Sequence, residues 1–385
     1  MWNVLRVAYF ENDKSRILLG PIADVVEQIK HKGLPVYVTS HWKFGPHIDV
    51  LVECDKAVFE SDIYPACSTR INAWLAENPS KTELVPEQYE KLSYQLAMSE
   101  LEPPPYLPLM NNNSVLVARY ERSQSINIEG FHDTKERFLV GSTPLLFALL
   151  KLKQADSNVF FTTLVYMLAA SAAQFRPDGI RRGYISFRSH AEYFFENYDQ
   201  GDQLRAKFDA LDKNYAPFID ANIQQVAEKQ VDATQLHPGQ KAILSSWQEV
   251  LDNAFEDNLS VVNSNYESII SEDNDVSSTE QNFGVLAEQI SSNVPDEINK
   301  PSREYNTGKV VNSAMNHEEG RRLFRSHEFI AYRTTVNYFY LLLPVLDITP
   351  IQKFSICHLV ANSVERVYKI DWKDVIPAAV GGSNE

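Results

Sequence analysis

The spacing of apolar residues predicts strands and helices in alternation at the start of the chain. A two-residue period predicts strands over 3–10, 34–40 and 48–53, and a three-to-four-residue period predicts helices over 17–32 and 59–77. Gly33 ends the first helix, and the Phe44-Gly45-Pro46 turn joins the second and third strands. Strand, helix and hairpin in this order are half of a ferredoxin-like unit.

The helical period dominates the rest of the chain. Residues 79–112 contain a short helical pattern followed by Pro103-Pro104-Pro105 and an Asn triplet, which predict a connector. Two further short strands are predicted over 115–120 and 125–130. The predicted helices that follow cover 142–153, 159–175, 187–198, 204–228, 240–255, 327–345 and 350–367. Thr349 can cap the last of them, with Pro350 in its first turn.

These patterns predict an α+β fold. Ferredoxin-like strand–helix units on the N-terminal side, residues 1–130, are expected to pack on a mainly helical part, residues 131–385, as one integrated body. The composition supports a sizeable core, since 44% of the residues are hydrophobic and 11% aromatic.

Charge is unevenly distributed. The 36 basic and 51 acidic residues give a net charge of −15, and residues 242–299 contain no Lys or Arg. We therefore expect an acidic, mobile insertion over 256–310. No basic run is longer than Arg181-Arg182 or Arg321-Arg322, so nucleic acid is not an expected partner.

Cysteine usage and apolar run lengths indicate the compartment. Cys54, Cys67 and Cys357 form no CxxC pair, and their odd number argues against a disulfide framework. The N-terminus lacks the features of a signal peptide, and no run of 18 uncharged apolar residues occurs. We expect a cytoplasmic protein without membrane contact. Motifs for nucleotide, zinc-protease and serine-hydrolase sites are missing, so no cofactor or metal is expected.

The predicted hairpin tip is the first candidate site. His41, Trp42 and His47 lie within eight residues there, and imidazoles titrate near neutral pH, so proton transfer is one interpretation. A Gly-Pro hairpin with Trp42 packed over it is the other, and as a pattern it is the commoner.

The closing helices carry the second candidate. His358 and Asn362 share one helix face, and Arg333, Asn337 and Tyr340 lie on the preceding helix. In an apolar environment such groups must pair or face a cavity, and a core histidine satisfied by a neighbour is commoner than a catalytic one. Cys357 is not a partner for His358, because adjacent helical residues point about 100° apart.

The third cluster comprises Arg181, Arg182, Arg188 and His190 at the start of a predicted helix. Guanidinium groups and free N–H groups there could bind an anion. Surface charge that balances the acidic stretch is the alternative interpretation.

Three segments together resemble one family, the C-terminal glutamate-eliminating domain of lantibiotic dehydratases and its stand-alone relatives in thiopeptide-type bacteriocin biosynthesis. Residues 36–53 resemble a strand, a loop and a "PHLRLR" strand, with Pro46-His47 in place. Residues 101–150 resemble a turn that precedes a helix, and residues 329–367 resemble the closing helices, including a His-x-x-x-Asn element at His358 and Asn362.

The resemblance implies a ribosomal precursor peptide, or a peptide-like molecule, as substrate. Canonical members remove glutamate from glutamylated Ser or Thr, and thiopeptide relatives join two dehydroalanines into a pyridine ring and expel the leader peptide. Both reactions need a base and a nearby positive charge. A separate glutamylating or other biosynthetic enzyme and a second copy of the chain are further candidate partners.

The resemblance also assigns roles to residues. It implies that His358 is the base or acid. The catalytic candidates around it are Tyr340, Arg333, His47 and Tyr120, and the substrate-binding candidates are His41, Trp42, Asn337, Asn362 and Arg188.

The chain departs from the family at its arginines. Asp49 and Leu51 stand where the family has two arginines after Pro-His, and a third arginine position falls near Ile126. Each lost guanidinium removes about 2–4 kcal/mol of transition-state stabilisation. Two hypotheses follow: a peptide-tailoring enzyme of the lyase or cyclase type, or a non-catalytic family member that binds a peptide or a partner enzyme.

Overall fold

The computed structural model describes residues 1–100, 102–122, 128–199, 201–270, 310–311, 314 and 317–375. The chain forms two compact units. The N-terminal unit comprises Met1–Asn127, Glu267–Asn306 and Pro344–Asp347. The helical unit comprises Ile128–Tyr266, Thr307–Leu343 and Ile348–Glu385.

A four-stranded antiparallel sheet organises the N-terminal unit. Its strands are β1 (Trp2–Ala8), β2 (Val36–His41), β3 (His47–Glu53) and β4 (Ser114–Ala118), in the order β2-β3-β1-β4. This is the order of a ferredoxin-like unit, in which β3 lies between β1 and β2. The predicted α+β class and the first three predicted strands are therefore confirmed.

The sheet of the N-terminal unit has one apolar and one partly polar face. Helices α1 (Ala23–His31) and α2 (Tyr64–Glu77) follow π-helical turns at Leu18–Ile22 and Phe59–Ile63, and α3 is Pro86–Glu100. The apolar face includes the buried side chains of Leu5, Val7, Val38, Ile48, Val50 and Val52. The strand register places Arg6, Thr39, His41, His47 and Asp49 on the opposite face.

The helical unit contains the remaining long elements. They are α4 (Glu129–Ala155), α5 (Ser157–Ala172), α6 (Ile185–Tyr198), α7 (Gln203–Asp220), α8 (Ile223–Ala227), α9 (Pro238–Ile270), α10 (Glu318–Phe324), α11 (His327–Leu342), α12 (Pro350–Tyr368) and α13 (Trp372–Val375). Helix α12 contacts α5, α6 and α7. Thr349 and Gln352 form a capping box at its start, which confirms the predicted cap.

Two sequence-based predictions of elements need correction. Residues 129 and 130 begin α4 and are not part of a strand, while residues 125–127 lie outside the described part of the chain. Residues 256–270 continue α9, so this first part of the predicted acidic segment is helical. Arg176 and Arg137 pair with Glu256 and Asp257 there, which offsets the repulsion between the acidic side chains. Residues 271–309 of the predicted insertion are outside the described residues.

Within the described ranges, no helix combines the length and the apolar character that crossing a bilayer requires.

Candidate functional site

His358 lies at the centre of a polar cluster in the helical unit. Its side chain projects from α12 and is 2% exposed. The Nε2 atom is 2.8 Å from Oδ1 of Asp209 on α7 and 3.0 Å from Nδ2 of Asn362, one turn further along α12. The Nδ1 atom is buried and has no hydrogen-bond partner among the described residues. One ring nitrogen is therefore anchored and the other is not.

Asn362 connects His358 to a buried ion pair. Its Oδ1 accepts a hydrogen bond of 2.7 Å from Arg188 on α6, and its Nδ2 donates to Asp212 on α7 at 3.1 Å. Arg188 is 5% exposed and donates through two nitrogens to both carboxylate oxygens of Glu365, at 3.2 and 2.5 Å. Three of the predicted residues, His358, Asn362 and Arg188, are thus brought into one network.

The network continues towards the surface along α12. Arg366 donates to Asp212 at 2.6 Å and to Asp220 at 2.8 Å, both on α7. The Asp220 carboxylate also accepts from the Ser363 hydroxyl at 2.6 Å. These pairs hold α7 against α12 on the C-terminal side of His358.

Burial and neighbouring charges of both signs act on the pKa of His358. Burial lowers the pKa of its imidazole below the usual value, the contact with Asp209 raises the pKa, and the Arg188 guanidinium lowers it. The rings of Phe195 and Phe208 lie 5.5 and 6.0 Å from the imidazole. The ring is therefore neutral near pH 7, and the Asp209 carboxylate is placed to stabilise a proton that the ring gains.

Tyr340 belongs to a second cluster, which meets α12 at Lys353 and Cys357. Its hydroxyl is 3.0 Å from Nδ1 of His190 and 3.7 Å from Sγ of Cys357, and Lys353 lies over its ring at 5.3 Å. Burial raises the pKa of the Tyr340 phenol well above its usual value and that of the Cys357 thiol to about 11. Cys357 is thus a protonated core residue whose thiol faces the Tyr340 hydroxyl.

Two predicted residues of α11 point outward. The side chains of Arg333 and Asn337 are exposed on this helix. Burial lowers the pKa of His190, and the charges of Lys353 and Arg333 act in the same direction. The structure therefore places a positive field at the His190–Tyr340 pair.

The three arginines of the third cluster, which the sequence suggests as an anion site, each contact another group of the protein. The side chain of Arg188 faces Glu365, the guanidinium of Arg182 pairs with Asp178 at 3.2 Å, and that of Arg181 lies over the Tyr368 ring at 5.1 Å. Each guanidinium already has a partner, because the acidic and aromatic side chains that meet it come from other turns or helices.

The hairpin residues form a separate group in the N-terminal unit. His41 and His47 are cross-strand partners at the ends of β2 and β3, and their rings are 5.9 Å apart. The Trp42 ring stacks on His41 at 5.1 Å and lies 5.6 Å from Tyr106. The structure thus contains the packed Trp42 of one interpretation and the paired imidazoles of the other.

His47 resembles His358 in having one anchored nitrogen. Its Nδ1 is 2.9 Å from the carbonyl oxygen of Gly45, while its Nε2 is buried without a hydrogen-bond partner among the described residues. Burial lowers the pKa of His47 below its usual value and the pKa of His41 to about 4. Both rings are therefore neutral near pH 7.

Asp49, at a position where arginine was expected, has its own guanidinium partner. Arg6 on β1 donates from Nε and one terminal nitrogen to the two oxygens of Asp49, each at 2.8 Å. The side chains are 22% and 13% exposed. Leu51 is buried on the same strand, Tyr120 is partly exposed after β4, and Ile126 lies outside the described residues.

Sequence reasoning missed the acidic partners of the network. Asp209, Asp212 and Glu365 contact the predicted residues, and His190 contacts Tyr340. The three-residue spacing of Asp209 and Asp212 on one helix face was the available signal. In the part of the chain that the structure covers, no group of three or more His, Cys, Asp or Glu residues could hold a metal ion.

Three solved structures share the fold of this chain. The pyridine synthase TbtD from thiomuracin biosynthesis matches with a TM-score of 0.70 at 20% identity, covering 96% of this chain and 99% of that chain. TsrL matches with a TM-score of 0.63 at 12% identity, covering 100% and 99%. The tRNA-dependent lantibiotic dehydratase MibB from Microbispora sp. 107891 matches with a TM-score of 0.53 at 10% identity, covering 96% of this chain and 28% of MibB.

At these identities the structural likeness shows a shared fold. Comparison with curated protein sequences gives no match. The family described as "Lantibiotic biosynthesis dehydratase C-term" matches residues 2–364, which is most of the 385-residue chain. This chain therefore belongs to the lantibiotic dehydratase C-terminal family.

Proposed function

We propose that this protein is a peptide-tailoring enzyme that acts on a precursor peptide containing dehydroamino acids, with His358 as its acid–base group. The observation that carries the proposal is the buried imidazole with one nitrogen bound to Asp209 and the other without a partner among the residues that the structure describes. A positioned imidazole of this kind is the commonest general acid–base group. Family membership over residues 2–364 places that group in a scaffold of peptide natural-product biosynthesis.

We favour pyridine-type cyclisation over glutamate elimination as the reaction. Elimination expels an anionic glutamate, which requires an available cation near the leaving group. Asp49 replaces one expected arginine, and it also neutralises Arg6, the guanidinium opposite it in the sheet. Joining two dehydroalanines into a pyridine expels water and an N-terminal carboxamide, which are neutral, so it places a smaller demand on such cations. The shared fold with TbtD, named as a pyridine synthase, supports the same choice.

A non-catalytic role is the second candidate. His358 is 2% exposed, and most groups around it are paired, which a purely structural network would also show. In that case the chain would bind a peptide or a partner enzyme. The two candidates differ in whether any product forms, so activity separates them.

Mass spectrometry with two synthetic peptides tests the proposal. One peptide carries two dehydroalanine residues, and the other carries an O-glutamylserine at one of those positions. We expect the first peptide to yield a pyridine-containing product together with water and the expelled N-terminal segment, and the second to remain intact. Loss of glutamate from the second peptide would instead establish elimination. Binding of the first peptide without any mass change would support the non-catalytic candidate.

The partners are also part of the proposal. We expect a dehydroalanine-containing precursor peptide as substrate, and an enzyme that first dehydrates its serines as the upstream partner. Size-exclusion chromatography with light scattering would show whether the chain is a homodimer.

A further inference from the structure

The contacts of the His358 ring distinguish its two nitrogens: Nε2 is engaged by neighbouring side chains, and Nδ1 is buried without a hydrogen-bond partner among the described residues. Two groups face Nε2: the Asp209 carboxylate at 2.8 Å and the Asn362 amide nitrogen at 3.0 Å. The first accepts hydrogen bonds and the second donates them. A protonated Nε2 can donate to the Asp209 carboxylate, and an unprotonated Nε2 can accept from the Asn362 amide. It cannot do both at once.

The Asn362 amide cannot turn to remove this conflict. Its oxygen accepts from Arg188 at 2.7 Å, and its nitrogen donates to Asp212 at 3.1 Å. Exchanging oxygen and nitrogen would place an N–H group against the guanidinium and an oxygen against the carboxylate. The amide N–H group therefore faces Nε2 as a donor.

Charge decides between the two partners of Nε2. The Asp209 side chain is 48% exposed, so water solvates its carboxylate in the anionic form. An anionic oxygen 2.8 Å from a nitrogen lone pair would be repelled, whereas an N–H group there forms a charge-assisted hydrogen bond. Placing the proton on Nε2 deprives the Asn362 amide of one acceptor. This costs less free energy than repulsion of the carboxylate, because the Asn362 nitrogen still donates to Asp212.

We propose that Asp209 is a positioning residue that holds His358 as the Nε2–H tautomer, so that Nδ1 is the nitrogen that exchanges a proton with the peptide. This inference rests on the proposed function. Nδ1 takes a proton from the peptide, an Nδ1–H bond forms, and the electron pair of the broken bond stays on the peptide. The resulting imidazolium returns the proton to the peptide in a later step, so His358 is regenerated and no other reactant is needed.

The surroundings fit this role for Asp209. Arg188 from α6 opposes a positive charge on His358, and the rings of Phe195 and Phe208 provide an apolar wall. Asp209 from α7 is the group in hydrogen-bond contact that favours the charged ring, with Asp212 acting in the same direction from further away. Removing the charge of Asp209 should therefore affect both the tautomer and the stability of the imidazolium.

The test compares Asp209→Asn with Asp220→Asn. Both aspartates lie on α7 within the same network, but Asp220 contacts Arg366 and Ser363 and not His358. Nitrogen NMR of protein labelled with ¹⁵N-histidine reports which ring nitrogen is protonated, and His358→Gln identifies the His358 signals. We expect protonated Nε2 in the wild type and in Asp220→Asn, and a shifted tautomer population in Asp209→Asn.

Turnover of the dehydroalanine peptide provides the second measurement. By analogy with other carboxylates that orient a histidine, we expect kcat of Asp209→Asn to fall roughly 100-fold with little change in KM. Asp209→Glu should recover part of the rate, and Asp220→Asn should keep it. A wild-type ring protonated at Nδ1, or an Asp209→Asn variant with unchanged tautomer and rate, would overturn the inference.

Failure of the proposed function would look different. If His358→Gln converts the peptide as fast as the wild type, His358 has no acid–base role, and the catalytic part of the inference falls with the proposed function. The NMR spectra would still decide whether Asp209 sets the tautomer, because that measurement needs no substrate.

Discussion

The two units each contain a buried histidine with one nitrogen anchored and the other without a partner among the described residues. In the N-terminal unit, His47 is held through Nδ1 by the carbonyl oxygen of Gly45. In the helical unit, His358 is held through Nε2 by the carboxylate of Asp209. The anchors differ in charge, since a carbonyl group is neutral and a carboxylate is anionic.

This difference separates the chemistry that the two rings can perform. A carbonyl oxygen fixes the tautomer, but it offers little stabilisation to an imidazolium. The nearest oxygen of Asp49 is 3.8 Å from Nε2 of His47, and Arg6 already neutralises that carboxylate. We therefore expect His47 to stay neutral and to accept a hydrogen bond from a peptide, while His358 can also gain a proton during a reaction.

The largest predicted effect follows from replacing each ring by glutamine. General acid–base groups contribute about 10²–10⁴-fold to rates, so His358→Gln should lower kcat on the dehydroalanine peptide by roughly 10³-fold. His47→Gln should change kcat by less than about tenfold, since it removes an uncharged hydrogen-bond acceptor. Steady-state kinetics monitored by mass spectrometry measures both values.

Circular dichroism is the control for folding in this comparison, because both side chains are buried. Equal losses of kcat in the two folded variants would contradict the distinction between a proton-transfer histidine and a binding histidine.

The next largest effect concerns the arginines beside the two histidines. Arg188→Met leaves the half-buried Glu365 without its cation, and breaking a buried pair costs about 3–5 kcal/mol in free energy of unfolding. The Arg6 side chain is more exposed than that of Arg188, at 22% against 6%, so Arg6→Met should cost less, about 1–3 kcal/mol for leaving Asp49 unpaired. Urea unfolding measures both, and each unit needs its own probe because two units need not unfold in one step.

The double variant Arg188→Met/Glu365→Leu is the matched control for the first of these changes. It removes both charges and should recover much of the stability that Arg188→Met loses. A double variant as unstable as the single one would show that packing of the Arg188 side chain, and not its charge, stabilises the unit.

The sequence predicts local structure here better than it predicts the site. Strands β1 and β3 and helix α12 have strong apolar periods, and the observed bounds lie within two residues of those predicted. Helix α9 was predicted too short because acidic residues on its exposed face hid the apolar period, which continues through Val262. The local run of acidic residues thus hid the end of the helix, because the arginines that pair with its acidic side chains come from elsewhere in the chain.

The site is predictable only where its residues share a helix. Helical spacing brings His358 and Asn362 together, and the structure places them 3.0 Å apart. Asp209 lies 149 positions before His358, and Arg188 lies 177 positions before Glu365. No pattern in a single sequence joins such residues. The sequence therefore predicts Arg188 in an anion site, whereas in the structure its guanidinium group pairs with the Glu365 carboxylate.

A smaller effect is expected on peptide binding. If Nε2 of His47 accepts one hydrogen bond from the peptide, its loss is worth about 1 kcal/mol, or about fivefold in affinity. Isothermal titration calorimetry of the dehydroalanine peptide with His358→Gln and with the double variant His358→Gln/His47→Gln measures this term without turnover. Identical affinities would remove His47 from the binding site.

The smallest effect is the pH dependence of stability, and it compares the two units directly. Burial lowers the pKa of His41 from 6.5 to about 4 in the N-terminal unit and that of His190 from 6.5 to about 3 in the helical unit. Between those values and 6.5 the unfolded chain binds a proton that the folded chain does not, so the free energy of unfolding should decrease as pH falls from 6.5. Each histidine contributes a difference of at most about one bound proton to the slope of the unfolding free energy against pH.

His41→Gln should flatten the dependence of the unfolding free energy on pH, measured by urea unfolding, down to about pH 4, and His190→Gln should flatten it further, to about pH 3. Because carboxylates also titrate there, the difference between variant and wild type is the quantity to compare. Profiles that run parallel to the wild type would show that these rings accept protons without losing their packing, which would make the histidines of both units less rigidly held than their burial indicates.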